Sequence, residues 1–171
     1  ALEVLSLSGC TSLVSLVVVA ERVTSVNVGG CPKLSLLDLR CPYLCHLAVP
    51  QCPQLLSLVP CAPSGGEGIT PTGSLITCPA TAAPLLDAYR RLETLNVAGC
   101  GQLRSTTLRH VLAAAAGTLR SLHAAGCREL GELGFTAHDR LEVSHMPLAS
   151  IDVSGCRSLT RVSIPVAAHR T

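Results

Sequence analysis

One phrase recurs along this chain and limits what it can fold into. Leu2, Leu5 and Leu7 are spaced L-x-x-L-x-L, Cys10 follows three residues later, and Leu13 three after that. The spacing returns as Val23, Val26, Val28, Cys31, Leu34, then as Leu44, Leu47, Val49, Cys52, Leu55, and again as Leu92, Leu95, Val97, Cys100, Leu103. Two later copies are Leu119, Leu122, Ala124, Cys127, Leu130 and Leu148, Ile151, Val153, Cys156, Leu159. One such unit cannot bury its apolar face alone, so repetition at a period of about 20 to 50 residues predicts units that stack on one another.

A weaker phrase fills the gaps: Leu13, Leu16, Val18, then Leu34, Leu37, Leu39, then Leu55, Leu58. The starts at 2, 13, 23, 34, 44 and 55 are separated by 11, 10, 11, 10 and 11 residues, so two halves make a 21-residue unit. That is too short for a proper helix beside a strand, so both halves are expected to run extended. Pro32, Pro42, Pro53 and Pro79 each follow a cysteine. Lacking an N–H and restricting the residue before them, they are expected to end strands and turn the chain.

The period breaks at 60–84, where Pro60, Pro63, Ser64, Gly65, Gly66, Gly68, Pro71 and Gly73 mark an insertion. Leu75 and Cys78 keep the spacing of three and are read as a degenerate unit, followed by a short helix from Pro84 to Arg91. The next unit is longer. Ser105, Thr106 and Thr107 are candidate helix caps, and Leu108, Val111, Leu112 and Ala115 then recur at helical spacing up to Gly117. Between 130 and 148 two registers compete, Leu133 with Phe135 and Leu141 with Val143. Residues 1–171 are thus read as one α/β solenoid: a curved right-handed coil with a parallel concave sheet and a convex side mostly extended, with a few short helices.

Composition narrows function. Apolar residues make up 48% and aromatics 2%, so aliphatic side chains and cysteine must fill the interior. A formal net charge of +2, with so few rings to stack on bases, argues against nucleic acid as a partner. No apolar run approaches the roughly 18 to 20 residues of a membrane span, and no membrane partner is expected. The chain begins in mid-phrase, as a piece of something longer would. Seven of the ten cysteines, Cys10, Cys31, Cys52, Cys78, Cys100, Cys127 and Cys156, occupy the same place in successive units. They are read as buried reduced thiols, which implies a reducing compartment. Cys41 and Cys45 show a C-x3-C spacing, but no second close pair completes a zinc site, so neither metal nor cofactor is expected.

The phrase, with its 27-residue helical member, resembles the cysteine-containing leucine-rich repeats of plant and algal F-box proteins. The 10/11 alternation from Gly30-Cys31-Pro32-Lys33-Leu34 through Cys41-Pro42-Tyr43-Leu44 to Gln51-Cys52-Pro53-Gln54-Leu55 carries the closest likeness. The resemblance implies the substrate-recognition part of an SCF-type ubiquitin ligase, acting in ubiquitin-dependent protein catabolism in the cytoplasm, the nucleus or both. The adaptor would be bound through an F-box that is not in this chain. The stretch Leu2 to Leu16 is also similar to repeats of plant intracellular immune receptors. Those rarely include a helix such as Ser105 to Ala116, which favours the F-box group; a generic scaffold is the third alternative.

With Leu5 and Leu7 inward, alternation along each strand places Ser6 and Ser8, Ser25 and Asn27, His46 and Ala48, Thr94 and Asn96, Ser121 and His123, and Ser150 and Asp152 on the concave face. Small, polar and nearly uncharged, this strip suits a protein or peptide target. His46, Asn96, His123 and Asp152 fall on separate units and the cysteines face inward, so no catalytic set is expected and the chain is read as a non-enzyme. Asn96→Ala is expected to weaken binding with the melting temperature nearly unchanged. Arg90, Arg91, Arg104, Arg109 and Arg120 are read as a solvated convex face.

Overall fold

The computed structural model describes residues 2–58, 89–134 and 146–164. In chain order the strands are β1 (Val4–Ser6), β2 (Ser15–Val19), β3 (Ser25–Asn27), β4 (Leu36–Arg40) and β5 (His46–Ala48). Then follow β6 (Thr94–Asn96), the helix α1 (Ser105–Ala114), β7 (Ser121–His123), β8 (Glu132–Gly134), β9 (Ser150–Asp152) and β10 (Arg161–Ser163). Six strands form one parallel sheet in the order β1-β3-β5-β6-β7-β9, while β2 pairs with β4 and β8 with β10, again in parallel. Parallel strands with one helix among the described residues make an α/β-like arrangement. The weaker phrase runs extended as expected, and Leu36 bridges onward to Ser57.

The phrase sets the register. Its second leucine is the middle of each strand, so Leu5, Val26, Leu47, Leu95, Leu122 and Ile151 align across the sheet. Val26, Leu47, Leu95 and Leu122 are buried, as are Leu34, Leu55, Leu103 and Leu130 at the fourth apolar place. Each such side chain contributes about 1.5–3 kcal/mol on leaving water. Burial fails at the two ends. Leu5, Leu7, Leu13 and Leu16 on one side, and Val153, Cys156 and Leu159 on the other, are only partly covered.

Each ladder cysteine also closes a turn. The Leu34 N–H donates to the Cys31 carbonyl and the Leu55 N–H to the Cys52 carbonyl, both at 3.1 Å, and the Cys100–Leu103 turn repeats this at 3.2 Å. Pro32 and Pro53 sit second in their turns, where a fixed φ is favourable and no donor is needed. The thiols then reach back one rung. Cys31 Sγ donates to Leu7 O at 3.3 Å, Cys52 to Val28 O at 3.3 Å, Cys100 to Val49 O at 3.1 Å, Cys127 to Val97 O at 3.2 Å and Cys156 to Ala124 O at 3.0 Å. Each acceptor lies three residues before the preceding rung's own cysteine, so the thiols satisfy carbonyls that turn away from the sheet at its exit.

Several expectations change. The degenerate unit at Leu75 and Cys78, the helix from Pro84, and the insertion at 60–84 lie outside the described residues, save for the turn at Tyr89–Arg91. β5 pairs directly with β6, His46 opposite Thr94. Likewise β7 pairs directly with β9, and β8 joins β10 in the other layer, Leu133 opposite Val162. Phe135, Leu141 and Val143 lie outside the described residues. Cys10 is exposed rather than buried, and Cys156 is partly covered, because each belongs to an end rung.

In α1, Leu108, Val111 and Leu112 face the core. Ser105, Thr106 and Thr107 do not cap it: the cap residue is Arg104, with no side-chain cap bond. The Ser105 hydroxyl instead accepts the N–H groups of Gly131 at 3.1 Å and Glu132 at 2.9 Å, tying the helix to the start of β8.

Candidate functional site

On the outward face of the six-stranded sheet two rows stand beside each other. The first is Val4, Ser25, His46, Thr94, Ser121, Ser150, and the second Ser6, Asn27, Ala48, Asn96, His123, Asp152, each residue opposite its neighbour in the parallel register. Ten of the eleven residues expected to contact a partner therefore share two rows, and Ser8 lies two residues beyond Ser6, also exposed. Sequence reasoning missed Val4, which is 62% exposed and heads the first row. Aligning its phrase with that of Ser25 would have found it.

The second row is held from below. Asn27 Oδ1 accepts the Gly29 N–H at 3.1 Å, Asn96 Oδ1 the Ala98 N–H at 3.1 Å, and Asp152 Oδ1 the Ser154 N–H at 3.0 Å. These short side chains turn back two residues to satisfy backbone donors at the strand exits. The N–H and hydroxyl of Ser154 hold the Asp152 carboxyl below the usual carboxylate range, with His123 a smaller contribution in the same direction.

His46 is tied along the first row, and His123 reaches from the second row to the first. His46 Nδ1 is 2.9 Å from Thr94 Oγ1, and His123 Nε2 is 3.0 Å from Ser121 Oγ. The register also brings Asp152 opposite His123, so a serine, a histidine and an aspartate meet on two adjacent strands. His123 and Asp152 form no ion pair among the described residues. The nearby Ala124 and Gly126 N–H groups are spent on Asp152 O and Ser154 O, both at 2.7 Å, so neither can steady an oxyanion. What the constellation offers is oriented donors and acceptors.

The thiols face a different environment. Burial pushes the Cys100 thiol up to about 12 and the Cys127 thiol to about 11, and also raises Cys52 and Cys41. The eight described cysteines are free, and no group of three or more His, Cys, Asp or Glu among the described residues could hold a metal ion. Cys45 is half-buried and donates to Tyr43 O at 3.4 Å.

The arginines are not uniformly solvated. Arg91 lies over the Tyr43 ring at 4.6 Å, and Arg109 is partly buried beside Glu132, Nη2 to Oε2 3.7 Å. No family model, no curated protein and no solved structure matches this chain. No helix among the described residues is long and apolar enough to cross a membrane.

Proposed function

We propose that this chain is a leucine-rich-repeat solenoid serving as a protein-interaction module, the target-binding part of an F-box substrate receptor in an SCF-type ubiquitin ligase. The six-stranded sheet lines its concave side. The observation that carries the reading is the pair of outward rows, whose mostly short, polar and nearly uncharged side chains let another protein approach the sheet closely and offer it hydrogen bonds. The Ala-rich helix Ser105–Ala114 supports the F-box repeats over those of immune receptors.

The mechanism is templated proximity, without chemistry on the target by this chain. The rows hold a protein while an F-box elsewhere in the same polypeptide tethers it to the adaptor of the ligase, in the cytoplasm or nucleus. Co-purification of the full-length protein with the SCF adaptor tests the tether. Ser25→Arg with Ser150→Arg, placing long side chains in the first row, tests the grip. The expected result is retained adaptor and lost target. A full-length protein that never brings down the adaptor would end the ligase reading.

A further inference from the structure

The rungs do not carry charge evenly. Among the described residues of 2–58, Arg22, Lys33 and Arg40 balance Glu3, Glu21 and Asp38. Past Cys100 the flank of the molecule that follows the cysteine turns becomes basic. Arg128 and Arg157 each come directly after a ladder cysteine, and both are exposed. Their rungs are in contact: Gly126 N–H donates to Ser154 O at 2.7 Å and Cys156 Sγ to Ala124 O at 3.0 Å. Neighbouring parallel rungs are about 4.8 Å apart, so the two guanidinium stems start closer together than one screening length, about 8 Å at physiological salt.

Among the described residues no carboxylate pairs with these two arginines. Neither Arg128 nor Arg157 makes an ion pair among the described residues, although Glu129 is next in sequence. The next carboxylate along the chain, Glu132, is already shared. Glu132 lies 3.7 Å from Arg109 and directly opposite Arg161 in the β8–β10 register, and Arg109 Nε is buried without a hydrogen-bond partner. Among the described residues these two rungs and the strands that follow them carry Arg128, Arg157 and Arg161 against Glu129 and Glu132. The described aromatic rings, Tyr43 and Tyr89, belong to earlier rungs.

We infer that the Arg128/Arg157 corner is a docking site for an acidic peptide segment of the bound protein. The inference rests on the target-binding reading above and adds the chemistry of the target: a run of Asp or Glu beside the part gripped by the outward rows. Carboxylates 5 to 7 Å apart, roughly the spacing of alternate residues on an extended strand, would meet both guanidinium groups.

The test titrates the isotope-labelled protein with a Glu-rich nonapeptide and its Gln counterpart at low and physiological salt, reading amide shifts and affinity. Shifts are expected at Arg128, Glu129, Arg157 and Ser158 with the Glu peptide only, and weakening by added salt. Arg128→Gln with Arg157→Gln should weaken binding about three- to tenfold, as expected for two exposed ion pairs, with an unchanged melting curve. Equal binding of the Glu and Gln peptides, shifts confined to the outward rows, or tighter binding of a single-stranded oligonucleotide would each overturn it. If the double variant still captures a target that Ser25→Arg/Ser150→Arg loses, this corner is wrong and the interaction reading stands; loss in neither variant counts against that reading itself.

Discussion

The thiol of Cys100 donates to the carbonyl oxygen of Val49 at 3.1 Å, across 51 residues of chain, and so joins two rungs that the sequence separates by a long excursion. The same bond recurs between partners 24 to 32 residues apart in sequence. A thiol that is buried and donating is both shielded and held protonated, and only thiolate reacts with alkylating agents. In native protein at pH 8, iodoacetamide should therefore modify exposed Cys10 well before Cys31, Cys52, Cys100 or Cys127. Peptide mapping of a labelling time course measures this. Equal rates at Cys10 and Cys100 would mean that the ladder is open to water.

The same burial predicts how stability depends on pH. Cys100 and Cys127 titrate near 12 and 11 in the folded chain against 9.0 for a free thiol, through desolvation. The folded state keeps protons that the unfolded chain releases, so the stabilisation is complete below pH 9 and is lost as pH rises through about 11 to 12. Buried Tyr89, shifted upward by desolvation, adds to the same trend. Urea midpoints under reducing conditions should fall between pH 8 and pH 10.5. The fall should be shallower in Cys100→Ala/Cys127→Ala; an identical fall would assign it to other groups.

How far the fold could be read from sequence depends on what each residue touches. The leucine spacing gave strand positions, register and the inward and outward faces, because local alternation fixes those. It did not give β5 beside β6 or β8 beside β10, since pairing across the 60–84 excursion and across 135–145 depends on contacts between distant rungs. Ser105 looked like a cap, and its hydroxyl went instead to Gly131 and Glu132, 26 and 27 residues on. The outward rows were legible as positions. The return of Asn27, Asn96 and Asp152 to their own backbones was not, because a binding side chain and a turn-forming one are the same residue types.

That last point revises what mutation of the strip should do. Leu122 is fully buried and Leu122→Ala should cost about 2–5 kcal/mol through the cavity it leaves. Asn96→Ala is no longer expected to be silent: it strands the Ala98 N–H and should cost about 0.5–1.5 kcal/mol. Ser150, exposed at the last rung, is the neutral control, with Ser150→Ala within about 0.5 kcal/mol of the parent. Urea unfolding of the three variants checks the order Leu122, Asn96, Ser150. Equal losses at Leu122 and Ser150 would mean that the two faces are exchanged.

Gln51 is where one rung departs from the rest. The residue before each described ladder cysteine is left-handed, with φ of 76° at Gly9, 70° at Gly30, 76° at Gly99, 70° at Gly126 and 69° at Gly155, and 58° at Gln51. Among the described residues, only here does a side chain carry the steric cost of that conformation, about 1–2 kcal/mol. Its amide packs over Gly99, where an added Cβ would come within 2.9 Å of it. Gln51→Gly should relieve the backbone while losing a small contact and some unfolded-state restriction. The balance favours the variant by about 0.5–1 kcal/mol, seen as a higher urea midpoint. The reciprocal change, Gly99→Ala, should destabilise in the parent and less so in Gln51→Gly, because the overlapping amide is then gone. A double-mutant cycle showing no coupling between positions 51 and 99 would place the cost of Gln51 elsewhere.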